Sequence, residues 1–355
     1  MAYTEVLTGH DLTAEQWDAG IAAEYLQQVW FAHVMGESTD SPIQVKKDLM
    51  KKPGDAITVG IRSQLIGGHV TGASKGTGNE GRVEFYGQRV TIDNDRQVVK
   101  VEDVPMSQKR VPWDVLMQCR EALVDQNKQQ LEDDIMDQLI DTAVGRVRGR
   151  YLYGAVDSNW NATHSTALTN IDNTADQLTT NMVSITKRKA FIPINATAKI
   201  RPMKVKVGMA FQEWLVGIFH PYATRDMITN DAAWKNAQLN VPPGGFQDHV
   251  LYTGSSFKGS WDGVLIYEWD RVALVSSTIQ CAHNLIMGAQ AAVVCWGQMT
   301  KFSEDTAQDL GHDYVAETHE IRGIDKVVYG RAAVDASISN EDNGIINLFS
   351  AAVAD

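Results

Sequence analysis

Long apolar runs are missing from this chain of 355 residues: no stretch reaches the length that spans a bilayer. The opening Met-Ala-Tyr-Thr-Glu also lacks the basic start and apolar core of a secretory leader. A cytoplasmic product with no membrane partner is therefore expected. Cysteine is scarce too. Cys119, Cys281 and Cys295 are an odd, widely spaced set, each in an apolar pattern, with no C-x-x-C pair or Cys/His group. They read as buried free thiols, and no zinc site is expected. Positive charge is in deficit, with 32 Lys+Arg against 44 Asp+Glu and a net charge of −12. A protein that grips nucleic acid through many phosphates concentrates Lys and Arg on one face. The basic clusters here are short: Lys46-Lys47, Lys51-Lys52, Arg146 to Arg150 and Lys187 to Lys189. Tight DNA binding by a free subunit is disfavoured, while weak contact at a near-neutral surface stays open.

Catalytic arrangements are missing as well. No serine or cysteine sits in a G-x-S-x-G elbow. The glycine-dense stretch 70–81, VTGASKGTGNEG, invites reading as a phosphate loop, but a Walker loop needs G-x-x-x-x-G-K-[ST] after a strand and before a helix. Here Lys75 precedes Gly76, and no Lys-Ser/Thr pair follows Gly78. His312, Glu317, His319 and Glu320 gather within nine residues without a recognised ligand spacing, and read as an exposed polar strand. His220 before Pro221 and His283 in an apolar run read as turn or packed histidines. No catalytic residue, cofactor or metal ligand is assigned, and this scarcity points to a structural role.

What is present is 44% hydrophobic and 21% charged, enough for substantial cores. A capping box at Thr13 to Gln16 opens a helix carrying Trp17, Ile21, Tyr25 and Phe31 and ending at Gly36. A mixed, basic stretch to Pro53-Gly54 reads as an extended arm. Residues 56–63 and 82–93 alternate with a period of two on either side of the glycine-rich stretch, which makes a long β-hairpin with a flexible tip. Val98 to Val104 reads as a continuation of its return strand, stopped by Pro105.

From Pro112 to about Val144 the pattern predicts one long helix. Leu116, Cys119, Leu123, Leu131, Ile135, Leu139 and Ala143 recur at three or four residues, with Asn127 the polar interruption. At 1.5 Å per residue it spans about 50 Å and suggests a strut across a domain. Its Asp133, Asp137 and Asp141 share one face, where like charges are mildly destabilising unless cations meet them. The strip is either solvated or turned toward a partner, whose Arg and Lys would be its natural complement. Further on, 174–185 reads as an amphipathic helix, 203–219 as strand material, and 222–227 and 232–238 as short helices. A turn at Pro242 to Gly245 follows. Strand or core patterns then cover 250–252, 264–268, 289–296, 317–328 and 344–349.

Six stretches, in order, resemble the major capsid proteins of N4-type tailed phages. They are KPGDAITVGIRSQL, GNEGRVEFYGQRVTIDNDRQVV, QKRVPWDVLMQCREAL, FHPYATRDMITNDAAWKNAQ, LIMGAQAAVVCWGQ and NGIINLFSAA. They run from about residue 50 to 351. The resemblance implies an α+β fold of the Hong Kong 97 type, with an N-terminal arm at 1–50 and an extended E-loop at 51–110. It implies a P-domain at 111–200 with a spine helix at 112–144, an A-domain at 201–290, and a return to the P-domain at 291–355. The implied function is self-assembly through hexamers and pentamers into an icosahedral shell around double-stranded DNA. Implied partners are further copies of the chain, a portal protein, and scaffolding or decoration proteins. An encapsulin-like compartment of the same fold is one alternative, and a nucleotide-binding enzyme, which would need the glycine-rich stretch to hold phosphate, is the other. Where the family tends to carry acids at the hairpin tip, this chain has Lys75 and Arg82. With Glu80 and the helix carboxylates Asp133, Asp137 and Asp141, they are the candidate subunit-contact residues.

Overall fold

The computed structural model describes residues 29–51, 53–62, 70–72, 75–80, 85–112, 114–192, 199–207, 210–239, 256–305, 309, 312–329 and 340–352. The capping-box helix as far as residue 28, the turn at 242–245, the pattern at 250–252 and Arg82 lie outside these residues; the helix does not run on to Gly36, because Trp30–His33 is a single 3-10 turn and Met35–Gly36 a short strand. Seventeen strands are described: β1 (Met35–Gly36), β2 (Ile43–Lys46), β3 (Ala56–Arg62), β4 (Phe85–Thr91), β5 (Asp93–Val101), β6 (Tyr151–Tyr153), β7 (Met203–Val207), β8 (Ala210–Phe219) and β9 (Phe257–Trp261). They continue with β10 (Val264–Glu268), β11 (Leu274–Ser276), β12 (Gln280–Met287), β13 (Ala292–Asp305), β14 (Tyr314–Lys326), β15 (Val328–Tyr329), β16 (Glu341–Asp342) and β17 (Ile345–Ala351).

Two larger sheets carry the body. The first has the order β1-β2-β13-β14-β5, and the second β6-β17-β12-β8-β10-β9, with β11 added to β12 and β7 to β8. Helix Val115–Ile140 lies on the first sheet and seats Leu123, Leu131, Ile135 and Leu139 in a core shared with Val294, Trp296 and Ala316. Strand β17 reads Ile-Ile-Asn-Leu-Phe-Ser-Ala and is buried throughout because both its faces are covered. Ile346 and Leu348 pack with Met182 and Val183 of helix Thr180–Phe191, whereas Phe349 and Ala351 join Tyr151 and Tyr153.

The local chemistry moves several boundaries. The long helix starts at Val115 because Asp114 caps it, its carboxylate accepting from the Leu116 and Met117 N–H groups. At 26 residues it is about 39 Å long. Pro112 lies ahead of it, and Pro105 opens a separate short helix, Val104–Arg110, instead of merely ending a strand. The second helix begins at Thr180, capped by the Thr179 hydroxyl, and not at residue 174. Ile43–Lys46, within the stretch read as an extended arm, pairs in parallel with β13. Phe31, Val34 and Ile43 are in the core.

The polar strand around His319 is not exposed. It is β14, hydrogen-bonded between β13 and β5, with Thr318, Glu320 and Arg322 buried beneath the long helix. Polar groups are tolerated there because most of them satisfy each other. Asn127 donates to the Thr318 hydroxyl at 3.0 Å, Thr300 donates to Glu320 at 2.7 Å, and Arg322 meets Asp95 at 2.7 Å, Glu320 at 2.9 Å and also Asp134. Asn127 is therefore the helix's polar anchor on the sheet.

A second buried polar cluster joins the two sheets. Lys326, at the end of β14, meets Asp342 at 3.0 Å and donates to the carbonyls of Asp141 and Val144 just beyond the long helix. Asn347 donates to Asp342 at 3.3 Å, and its amide oxygen lies 2.7 Å from His283 Nε2. Burial pushes the Asp342 carboxyl up to about 6 despite Lys326 and Arg150, and presses the His283 imidazole down to about 4 against its bond to Asn347.

These shifts act in opposite senses on stability. The unfolded chain protonates His283 between pH 6.5 and 4 while the folded one does not, so acid removes about 3 kcal/mol there. The folded chain protonates Asp342 between pH 6 and 3.8 before the unfolded one does, so acid returns about 3 kcal/mol. Denaturant titrations from pH 7 to 4 should show Asp342→Asn losing stability in acid faster than the parent and His283→Gln more slowly. Parallel pH slopes for all three proteins would refute this compensation.

Candidate assembly surfaces

Strands β3 and β4 form a two-stranded sheet of their own, paired from Ala56–Thr91 to Arg62–Phe85. The return strand does not continue into residues 98–104. After Ile92 the chain crosses to the first sheet, where β5 pairs with β14 as its edge. One face of the hairpin, with Ile57, Val59, Ile61, Tyr86 and Val90, packs against Val293, Cys295 and Val327 of the body. The other face leaves Phe85 76% exposed, an apolar area that burial in an interface would stabilise.

Beyond these strands, Lys75 and Glu80 lie exposed in a tip that organises itself. The Glu80 carboxylate accepts from the Gly78 N–H at 2.8 Å, Asn79 donates its amide to the Lys75 carbonyl at 3.0 Å, and the Asn79 N–H bonds the Gly76 carbonyl at 3.0 Å. Gly78 sits at φ +92°, a conformation that side chains resist. Bonds to its own backbone and to Gly78 hold the Glu80 carboxyl below its ordinary range. β4, not a helix, is the next described element, so among the described residues no helix N-terminus of the kind a phosphate loop depends on follows the tip.

The acidic strip divides into three environments. Glu132 is buried, accepting from the Trp30 N–H at 2.7 Å and from Arg271 at 2.8 Å, and Arg271 also meets the exposed Asp133. Asp137 is exposed, lines a shallow cleft of about 390 Å³ with Asp93, Asp95 and Arg322, and makes no ion pair among the described residues. Asp141 departs from the shared face because the helix ends at Ile140, and its carboxylate turns to accept from the Ala143 N–H at 2.8 Å. Cations of the same chain thus complement part of the strip. Sequence periodicity placed the carboxylates but could not place Arg271, which is distant in the chain. Among the described residues no group of His, Cys, Asp or Glu side chains is arranged to hold a metal ion, and no helix is long and apolar enough to cross a membrane.

The described residues define a mixed α+β class of fold, with one long helix laid over a sheet and a hairpin paired apart from both larger sheets. Solved structures with this arrangement include the cyanophage Pam1 capsid, at 21% identity and TM-score 0.74 over 100% of both chains. The capsid of Ralstonia phage GP4 matches at 20% identity and TM-score 0.73 over 99% of both. That of Helicobacter pylori bacteriophage KHP30 matches at 15% identity and TM-score 0.65 over 91% of both. The fold is therefore of the Hong Kong 97 type. No curated protein matches the chain. The family profile described as phage capsid protein matches residues 5–354, and this chain belongs to that family. It is a major capsid protein, a structural component that associates with itself to form the shell of the virion.

Proposed function

We propose that this capsid protein assembles in the host cytoplasm through hexamers and pentamers into an icosahedral shell that encloses double-stranded DNA, and that it belongs to the N4-type group. The family match across residues 5–354 carries this reading, and the six collinear sequence blocks support the narrower placement. The acidic balance suits a wall that lines DNA without adhering to it. A portal protein, and scaffolding or decoration proteins, are the further partners. Residues 1–50 act as the arm, 51–110 as the E-loop, 111–200 and 291–355 as the P-domain, and 201–290 as the A-domain. Lys75, Glu80 and Arg82 at the hairpin tip, with Asp133, Asp137 and Asp141 on or beside the long helix, contribute to contacts between subunits.

Each contact is modest, a standard interface burying about 1,600 Å². Closure of a shell multiplies such contacts through effective concentration. Electron microscopy of the chain expressed alone should show uniform closed particles; monomers at high concentration, with no closed form, would count against assembly without a scaffold. If Asp137 meets a neighbour's cation, raising salt from about 0.05 to about 0.5 M should slow assembly several-fold, because added salt shortens the Debye length and screens exposed charges. Charge neutralisation by Asp137→Asn should remove most of that salt dependence. Light scattering that is indifferent to salt in the parent would leave Asp137 a solvated residue.

A further inference from the structure

We propose that Gln88 is a positioning residue that sets the direction in which the hairpin leaves the body, an inference that rests on the assembly reading above. Its side chain is fully engaged. Nε2 donates to the Asp325 carboxylate and to the Lys326 carbonyl, each at 2.7 Å, and Oε1 accepts from the Val328 N–H, also at 2.7 Å. These three bonds fasten β4 to the junction of β14 and β15. No backbone ladder does so, because β3 and β4 pair only with each other. Beyond the passage of the chain through Ile92 into β5, the attachment is apolar contact with Val293, Cys295 and Val327, which is non-directional.

The same junction holds the long helix. The Lys326 backbone receives Gln88, and the Lys326 side chain donates to the carbonyls of Asp141 and Val144 beyond the helix end. Gln88 and Lys326 together tie the hairpin and the long helix to one short piece of backbone. Just outward of the anchor the strands pair through Gly60 and Gly87, both exposed, and a side chain at Gly60 would meet nothing within 4 Å. The backbone is therefore most pliable immediately beyond Gln88, and the angle of the distal hairpin depends on how firmly its base is held.

Gln88→Met keeps the side-chain length and removes all three bonds. In the unassembled subunit, amides of 56–62 and 85–91 should exchange about tenfold faster while those of 123–139 keep their rates. Shells formed by this variant should spread in diameter under electron microscopy. Gln88→Glu retains the acceptor for Val328 but sets a carboxylate against Asp325. It should show the same loosening at pH 7 and recover partly at pH 5. The proposal fails if hairpin exchange in Gln88→Met is unchanged, or if it rises only in step with exchange across the whole chain. Exchange is read on the free subunit, so failure of the parent to form shells would bear on the assembly reading alone.

Discussion

Deleting residues 70–81 should leave a soluble, folded subunit whose yield of closed shells falls at least about tenfold. The tip's described side-chain bonds, from Asn79 to Lys75 and from Gly78 to Glu80, are internal to it, so the body loses none of them. The segment between Arg62 and Phe85 would shorten from 22 residues to 10, lowering the entropy of closing the hairpin by about 0.7 kcal/mol. Thermal melting should therefore hold or rise slightly. Assembly responds differently, because each subunit would lose the proposed contact residues Lys75 and Glu80. A loss of about 1.4 kcal/mol per contact is tenfold in each association constant and compounds around a closed shell. Size-exclusion chromatography and electron microscopy check both halves. Normal shells from the deletion would show that the tip is dispensable, and an unfolded product would show that it supports the body. Lys75→Glu, which reverses the charge at this position, tests charge at the tip without shortening it.

The periodic part of this fold was legible because its causes are local. Leu123, Leu131, Ile135 and Leu139 mark the buried stripe of the long helix, and the alternation in 56–62 and 85–91 marks the hairpin. The helix start was misjudged by three residues because Pro112 is an acceptable first-turn residue, and the Asp114 cap is as plausible inside a helix pattern as before one. The polar stretch 312–320 was read as exposed, and it lies mostly in the strand Tyr314–Lys326, where Thr318, Glu320 and Arg322 occupy positions at which burial usually demands apolar side chains. Their partners Asn127, Thr300, Asp134 and Asp95 come from other elements, and no window of sequence brings them together. The anchoring role of Gln88 was invisible for the same reason, since its acceptors lie 237 and 238 residues away. Local chemistry thus fixed which elements exist, while long-range polar pairing fixed how they are joined.

That joining makes Lys326 the residue whose loss should cost the fold most. Lys326→Met preserves much of the aliphatic stem but leaves Asp342 buried without its nearest cation and removes the donor from the carbonyls of Asp141 and Val144. Removing one partner of a buried ion pair costs about 3–5 kcal/mol, a large fraction of the 5–15 kcal/mol that holds a typical domain together. Arg150, which also favours the ionised Asp342 and meets Glu341 at 3.5 Å, offsets only part of the loss. The sign of the pH response identifies the cause. With Lys326 gone, the Asp342 carboxyl, already raised to about 6, must rise further, so the folded variant takes up a proton that the unfolded chain does not. Its stability deficit against the parent should therefore narrow as pH falls from 7 to 5. The double variant Lys326→Met/Asp342→Asn should recover the part of the deficit due to the stranded charge at every pH, but not the part due to the uncapped helix end. Denaturant unfolding of the four proteins at pH 7 and pH 5 separates these contributions. A deficit independent of pH, undiminished in the double variant, would show that Lys326 acts through helix capping and packing alone.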